Sequence, residues 1–65
     1  METRLKEFRK IHQISQKDVA EKIGIDQRQW SRYENEINEL PIRYLKIICK
    51  TYQVSADWIL GLTEE

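Results

Sequence analysis

At 65 residues the chain is expected to form one domain, with a core close to the smallest that folds without disulfides or metal and no room for a second effector domain. Its 11 Lys or Arg balance 11 Asp or Glu, and a formal charge of zero argues against a protein that holds polyanions by bulk attraction alone. A lone cysteine excludes an internal disulfide, while apolar runs of at most three residues and a charged METRLKEFRK start exclude a membrane-spanning helix and an export signal, so a reducing cytoplasm is the expected compartment.

A first helix is predicted over residues 3–12, with Leu5 and Phe8 turned inward, Ile11 beside them, and Arg4, Lys6, Arg9 and Lys10 around them. Ser15 is the expected N-cap of a second helix, 16–23, in which Val19, Ala20 and Ile23 follow the spacing of one apolar face. Gly24 comes directly after, where a chain leaving a helix turns left-handed and only glycine does so without steric strain. Asp26 then caps a third helix from 27 to about 34, its carboxylate placed to accept from a backbone NH that the helix leaves unpaired. The polar connection NEINEL leads to Pro41, which suits the first turn of a fourth helix, 41–52, because an NH there has no partner to lose. Leu45, Ile48, Cys49 and Tyr52 form the inner face of that helix, and Cys49 reads as a small apolar core residue rather than a nucleophile. Ser55 caps a short fifth helix that Gly61 ends, and no stretch alternates with a period of two long enough for a strand. The expected class is therefore all-α, five short helices stabilised by mutual burial around Trp30, Tyr33, Phe8 and Ile23.

Residues 16–35, QKDVAEKIGIDQRQWSRYEN, carry the functional signal. The small side chain of Ala20 lets the third helix cross close to the second at the steep angle of a helix-turn-helix. With Val19, Ala20, Ile23, Ile25, Trp30 and Tyr33 turned inward, Gln27, Arg28, Ser31 and Arg32 are left on the outward face of the third helix. Each can read a base edge or hold a phosphate, so a duplex groove is the expected target; a protein-contacting face or a merely solvated one is the alternative. Charge is unevenly spread: residues 1–33 hold eight Lys or Arg against five acids, and residues 34–65 three against six. The basic half contains the helix pair and can turn toward phosphates. No catalytic set is visible. His12 is the only histidine and lacks a Cys or His partner for zinc, and there is no glycine-rich phosphate loop. No enzyme activity, metal or cofactor is expected, and no small-molecule effector site is evident.

Ser15-Gln16, Val19-Ala20, Ile23-Gly24-Ile25, Trp30-Ser31-Arg32-Tyr33-Glu34, Pro41, Leu45, Ile48, Val54-Ser55 and Asp57-Trp58-Ile59-Leu60-Gly61 stand in order and at family spacing. Over about residues 4–62 the chain thus resembles the lambda-repressor-like, Cro-type helix-turn-helix family, often called the xenobiotic-response-element (XRE) family. The resemblance implies a five-helix lambda-repressor-like bundle, with a DNA-binding domain over residues 1–62 and a short tail at 63–65. It implies a sequence-specific regulator of transcription, a repressor that occludes a promoter, working in the cytoplasm in association with the nucleoid. By the same resemblance Gln16 lies on a phosphate and braces Gln27, while Gln27, Arg28 and Arg32 reach base edges with Ser31 nearby. Glutamine can bond adenine, and arginine guanine, through two atoms each, a discrimination of about 1–3 kcal/mol per pair; at least one guanine per half-site is expected.

Glu34 matches a family acid that pairs with an arginine of the first helix, here Arg9, and is expected to form a structural ion pair with it. Lys10, Lys17, Asn35 and Arg43 join Gln16 as phosphate donors, although a solvated surface charge is the competing reading for each lysine. Two features depart from the family. Asn35-Glu36 stands where glycine is usual, so Asn35 or Glu36 must take the left-handed position, and Glu36 and Glu39 place negative charge in a connection that elsewhere approaches the DNA backbone. A two-fold homodimer on half-sites about 34 Å apart is expected. Its seam is assigned to Trp58, Ile59, Leu60 and Leu62, unless these fold back as core. The runner-up function is a protein-binding module, an antitoxin or a regulator's partner, built on the same scaffold.

Overall fold

The computed structural model describes residues 3–64; positions 1, 2 and 65, which complete the expected domain and tail, lie outside the described residues. All regular structure among those described is helical: α1 (Leu5–Ile11), α2 (Gln16–Ile23), α3 (Gln27–Glu34), α4 (Ile42–Tyr52) and α5 (Ala56–Ile59). None of these helices is long and apolar enough to cross a membrane. The architecture is the five-helix, lambda-repressor-like bundle: α2 packs on α3 and α4, α1 on α3, and α4 on α5.

Local chemistry accounts for the starts and stops. Ser15 Oγ accepts from the Asp18 NH at 3.0 Å, Asp26 Oδ1 from the Arg28 NH at 3.1 Å, and Ser55 Oγ from the Trp58 NH at 3.3 Å. Each satisfies one amide that its helix leaves unpaired. Gly24 takes φ 90, and a methyl group on its Cα would meet nothing within 4 Å. Glycine is thus required there by the left-handed backbone and not by crowding.

Two helices are shorter than predicted. Pro41 is the N-cap of α4 and not its first helical residue; its carbonyl accepts from the NH groups of Tyr44 and Leu45, both at 3.1 Å. Arg4 stands outside α1 because the chain there is tied to α5. Its NH donates to the Ile59 carbonyl at 2.7 Å, its Nη1 to the carbonyls of Thr63 at 2.6 Å and Trp58 at 3.2 Å, and its guanidinium lies 5.3 Å from the centre of the Trp58 ring. The tail expected from residue 63 is thereby anchored at its first position.

The core is built from Leu5, Phe8, Val19, Ala20, Ile23, Trp30, Tyr33, Ile48 and Ile59. Ile11, expected beside Leu5 and Phe8, is instead 65% exposed. Six residues beyond Leu5, it is turned about 120° around the helix from it. On α4 only Ile48 is fully enclosed, and Leu45, Cys49 and Tyr52 are half-buried, because a domain this small covers the helix from one side. Burial pushes the Cys49 thiol up, which suits a packing residue and not a nucleophile.

The exit from α3 settles which residue turns left-handed. Asn35 keeps φ −92, and Glu36 takes φ 61. The Glu36 NH donates to the Tyr33 carbonyl at 3.2 Å and the Ile37 NH to the Arg32 carbonyl at 2.9 Å, the paired bonds of a helix end that favours glycine at this site. A side chain in this conformation costs roughly 1 kcal/mol. Glu36→Gly is therefore expected to raise the thermal midpoint by about 4–8 °C, with loss only of an exposed hydrogen bond from Thr3 Oγ1. An unchanged or lowered midpoint in a melting experiment would show that the strain is absorbed elsewhere.

Candidate nucleic-acid interface

Capping by Asp26 starts α3 at Gln27, and the inward pull of Trp30 and Tyr33 fixes which way the helix is rolled. Gln27, Arg28 and Arg32 are consequently exposed, and Ser31 is half-exposed. Gln16, Asp26, Gln27, Arg28 and Ser31 line one shallow concavity where the starts of α2 and α3 meet. The turn thus brings Gln16 to the first residues of α3 across eleven positions of sequence.

A continuous set of hydrogen bonds lies behind this surface. Arg9 Nε donates to Glu34 Oε2 at 2.7 Å, and Arg9 Nη2 reaches Oε1 at 3.4 Å. Trp30 Nε1 donates to Glu34 Oε2, and Gln16 Nε2 to Oε1 at 3.1 Å. Gln16 Oε1 in turn accepts from Gln27 Nε2 at 3.4 Å. A carboxylate only accepts, so Glu34 dictates which end of the Gln16 amide faces it, and Gln16 dictates which end of Gln27 is held. Gln27, which is exposed, keeps its carbonyl and one NH uncommitted by this bond, the donor and acceptor pair that matches the adenine major-groove edge.

Glu34 is the sole buried charged residue of the described chain, with its side chain fully enclosed and that of Arg9 20% exposed. Burial alone would push its carboxyl up. The hydrogen bonds from Arg9, Trp30 and Gln16, with the charge of Arg9, outweigh burial and hold it below the ordinary carboxylate value. Arg9 also donates to the Ile14 carbonyl at 3.3 Å, so one guanidinium joins α1, the link to α2, and α3.

The remaining phosphate candidates are distributed around this centre. Lys17 is exposed at the start of α2, and Lys10 is exposed near the end of α1. Asn35 Nδ2 donates to the Ser31 carbonyl at 2.9 Å and to Ser31 Oγ at 3.2 Å, so Ser31 and Asn35 act as one unit at the end of α3. Arg43 lies 4.5 Å above the centre of the Tyr44 ring, and its Nη2 donates to the Tyr44 hydroxyl at 3.4 Å, which holds an otherwise flexible cation against the start of α4. Tyr44 has no role at the level of sequence, since a ring beneath a neighbouring guanidinium leaves no periodic trace.

The apolar C-terminal set divides. Ile59 is fully enclosed between α5 and the rest of the core and cannot join an outward seam, a correction to its assignment there; its side of the short α5 is the one the bundle closes over. Trp58 and Leu60 are half-buried, and Leu62 is 73% exposed.

The chain matches the family described as Helix-turn-helix over residues 5–59. It is 42% identical over 62 residues to the uncharacterized HTH-type transcriptional regulator YobD of Bacillus subtilis (strain 168), a match that covers 95% of this chain and 55% of that protein. It is 36% identical over 61 residues to the HTH-type transcriptional regulator ImmR of the same organism, covering 94% of this chain and 48% of ImmR. The antitoxin PezA of Streptococcus pneumoniae serotype 4 (strain ATCC BAA-334 / TIGR4) is 35% identical over 57 residues, which are 88% of this chain and 36% of PezA. The chain thus spans about half or less of the length of these relatives. No solved structure matches it.

Proposed function

This chain belongs to the helix-turn-helix family, and on that footing we propose that it is the DNA-reading domain of a transcriptional regulator, a repressor that occupies a near-palindromic operator as a homodimer. The observation that carries the reading is the Glu34–Gln16–Gln27 relay, which presets a base-reading amide beside the exposed guanidinium of Arg28. Interactions arranged before binding lower the entropy lost on binding. A merely solvated face has no use for them.

In this reading Gln27, Arg28 and Arg32 address base edges, with Ser31 beside them, and Gln16, Lys17, Lys10, Asn35 and Arg43 hold phosphates. The longest dimension of the domain is 29 Å, less than the separation of about 34 Å between half-sites one helical turn apart. One copy reads one half-site, and a second copy is needed for the other. Trp58, Leu60 and Leu62 supply the seam, and the protein works where the chromosome lies, in the cytoplasm.

Selection from a randomised duplex pool tests this directly. Enrichment of a near-palindrome with guanine in each half-site is expected. Arg28→Ala should abolish preference at one base position, a loss of about 5- to 150-fold in discrimination. Lys17→Ala should weaken all sequences alike and flatten the slope of log affinity against log salt by about 0.9. Identical behaviour of the two variants would overturn the division between reading and anchoring residues. The similarity to an antitoxin favours a second reading, a scaffold that grips a partner protein, for which the pool would stay at background.

A further inference from the structure

Asn38, in the connection after α3, has no role in what precedes, and its position singles it out. The segment that leaves α3 folds back on Arg32: the NH groups of Ile37 and Asn38 both donate to the Arg32 carbonyl, at 2.9 and 3.3 Å. The Asn38 side chain lies against the Arg32 side chain as well. With its amide oxygen toward Arg32, Oδ1 accepts from Arg32 Nε at 3.1 Å and Nδ2 donates to the Ile37 carbonyl at 3.1 Å, whereas the opposite orientation sets donor against donor and acceptor against acceptor. Only the first orientation satisfies both ends of the amide.

We propose that Asn38 is a positioning residue that presets Arg32 to read guanine end-on, through its two terminal nitrogens. The inference rests on the DNA-reading role proposed above. A guanidinium can meet guanine O6 and N7 either with Nη1 and Nη2 or with Nε and one Nη. Asn38 occupies Nε, which removes the second mode and leaves the terminal fork free. Arg32 lies one turn beyond Arg28 on the same exposed face of α3, so both address the same groove. Arg28 differs, since no partner among the described residues holds its guanidinium and it can adopt either mode. The two arginines are therefore predicted to differ in stringency, Arg32 the stricter.

The test compares Asn38→Ala, which removes the acceptor, with Asn38→Asp, which keeps an acceptor for Nε but gives up the bond to the Ile37 carbonyl. Asn38 is exposed, and thermal melts should show both variants folded. In the free protein, nuclear magnetic resonance should show the Arg32 Nε proton exchanging slowly with water in the native chain and in Asn38→Asp, and faster in Asn38→Ala. In the duplex selection, the informative base is the one whose preference Arg32→Ala abolishes. Asn38→Ala should lose about threefold to tenfold in discrimination at that base alone. Asn38→Asp should retain it while binding all sequences more weakly, because it adds a negative charge. Unchanged preference at that base in Asn38→Ala, or equally fast Nε exchange in all three proteins, overturns the proposal. A native chain that enriches no duplex overturns the DNA-reading role itself and this proposal with it, an outcome distinguished by a flat pool for native and variant alike.

Discussion

Trp30→Ala is expected to leave the domain without a cooperative unfolding transition at room temperature. The indole is fully enclosed at the centre of the core, and its Nε1 donates to the buried carboxylate of Glu34. Truncating a buried tryptophan costs about 3–5 kcal/mol through lost transfer energy and the cavity left behind. A domain of 65 residues has a total stability of roughly 3–10 kcal/mol, so the loss consumes at least about a third of it and, in the lower half of that range, most or all of it. Circular dichroism during urea and thermal unfolding measures this directly. Trp30→Phe is the milder change: it keeps one six-membered ring in the core and gives up the hydrogen bond, a loss of about 1–2 kcal/mol, together with the packing of the missing five-membered ring. A thermal midpoint for Trp30→Ala within a few degrees of the native one would show that α3 is not held by its indole, and the roll of the recognition face would need another cause.

The second large effect is expected at Glu34. Glu34→Gln preserves the shape of the side chain but strips the charge that Arg9 faces, and a glutamine NH2 replaces an acceptor at one of the positions where Arg9, Trp30 and Gln16 donate. Removing one partner of a buried pair costs about 3–5 kcal/mol, and the lower end is expected because Arg9 retains some contact with water. Stability should also change its response to acid. The folded carboxyl titrates below its ordinary 4.5, so the native chain gains stability from it above that pH and loses it as pH falls through the lower, folded value. The difference between native and Glu34→Gln unfolding free energies should therefore be full near neutrality and shrink in acid, as measured by urea denaturation at several pH values. A difference that holds constant down to the acid end would sink the ion-pair account. Glu34→Gln should additionally loosen Gln16, and through it Gln27, so discrimination at the adenine position should weaken even under conditions where the variant is folded.

Much of the architecture was legible from residues alone, and the reasons are local. Ser15, Asp26 and Ser55 cap helices with their own side chains, and Gly24 tolerates a backbone that other residues resist. Such signals act over three or four residues and survive any rearrangement of the rest. The same holds for the roll of α3, because the spacing of Trp30 and Tyr33 decides which side goes inward and hence that Gln27, Arg28 and Arg32 face out. Where the local signal failed, the competing force came from elsewhere in the fold. Ile11 has helical spacing but no neighbour to cover it, and Ile59 was drawn into the core by the closure of α5 on the bundle.

Sequence by itself determined the helices, the turn between α2 and α3, and the set of polar side chains available to an outside partner, because caps, glycine and apolar periodicity are properties of neighbouring residues. Only the tertiary structure decided how those side chains are held. The relay from Arg9 through Glu34 to Gln16 and Gln27 joins three helices, Arg4 ties the start of α1 to the chain beyond α5, and Asn38 folds back on Arg32. Hydrogen bonds need donor and acceptor within about 3 Å at favourable angles, and for groups far apart in sequence that condition is met or missed only once the whole chain has packed.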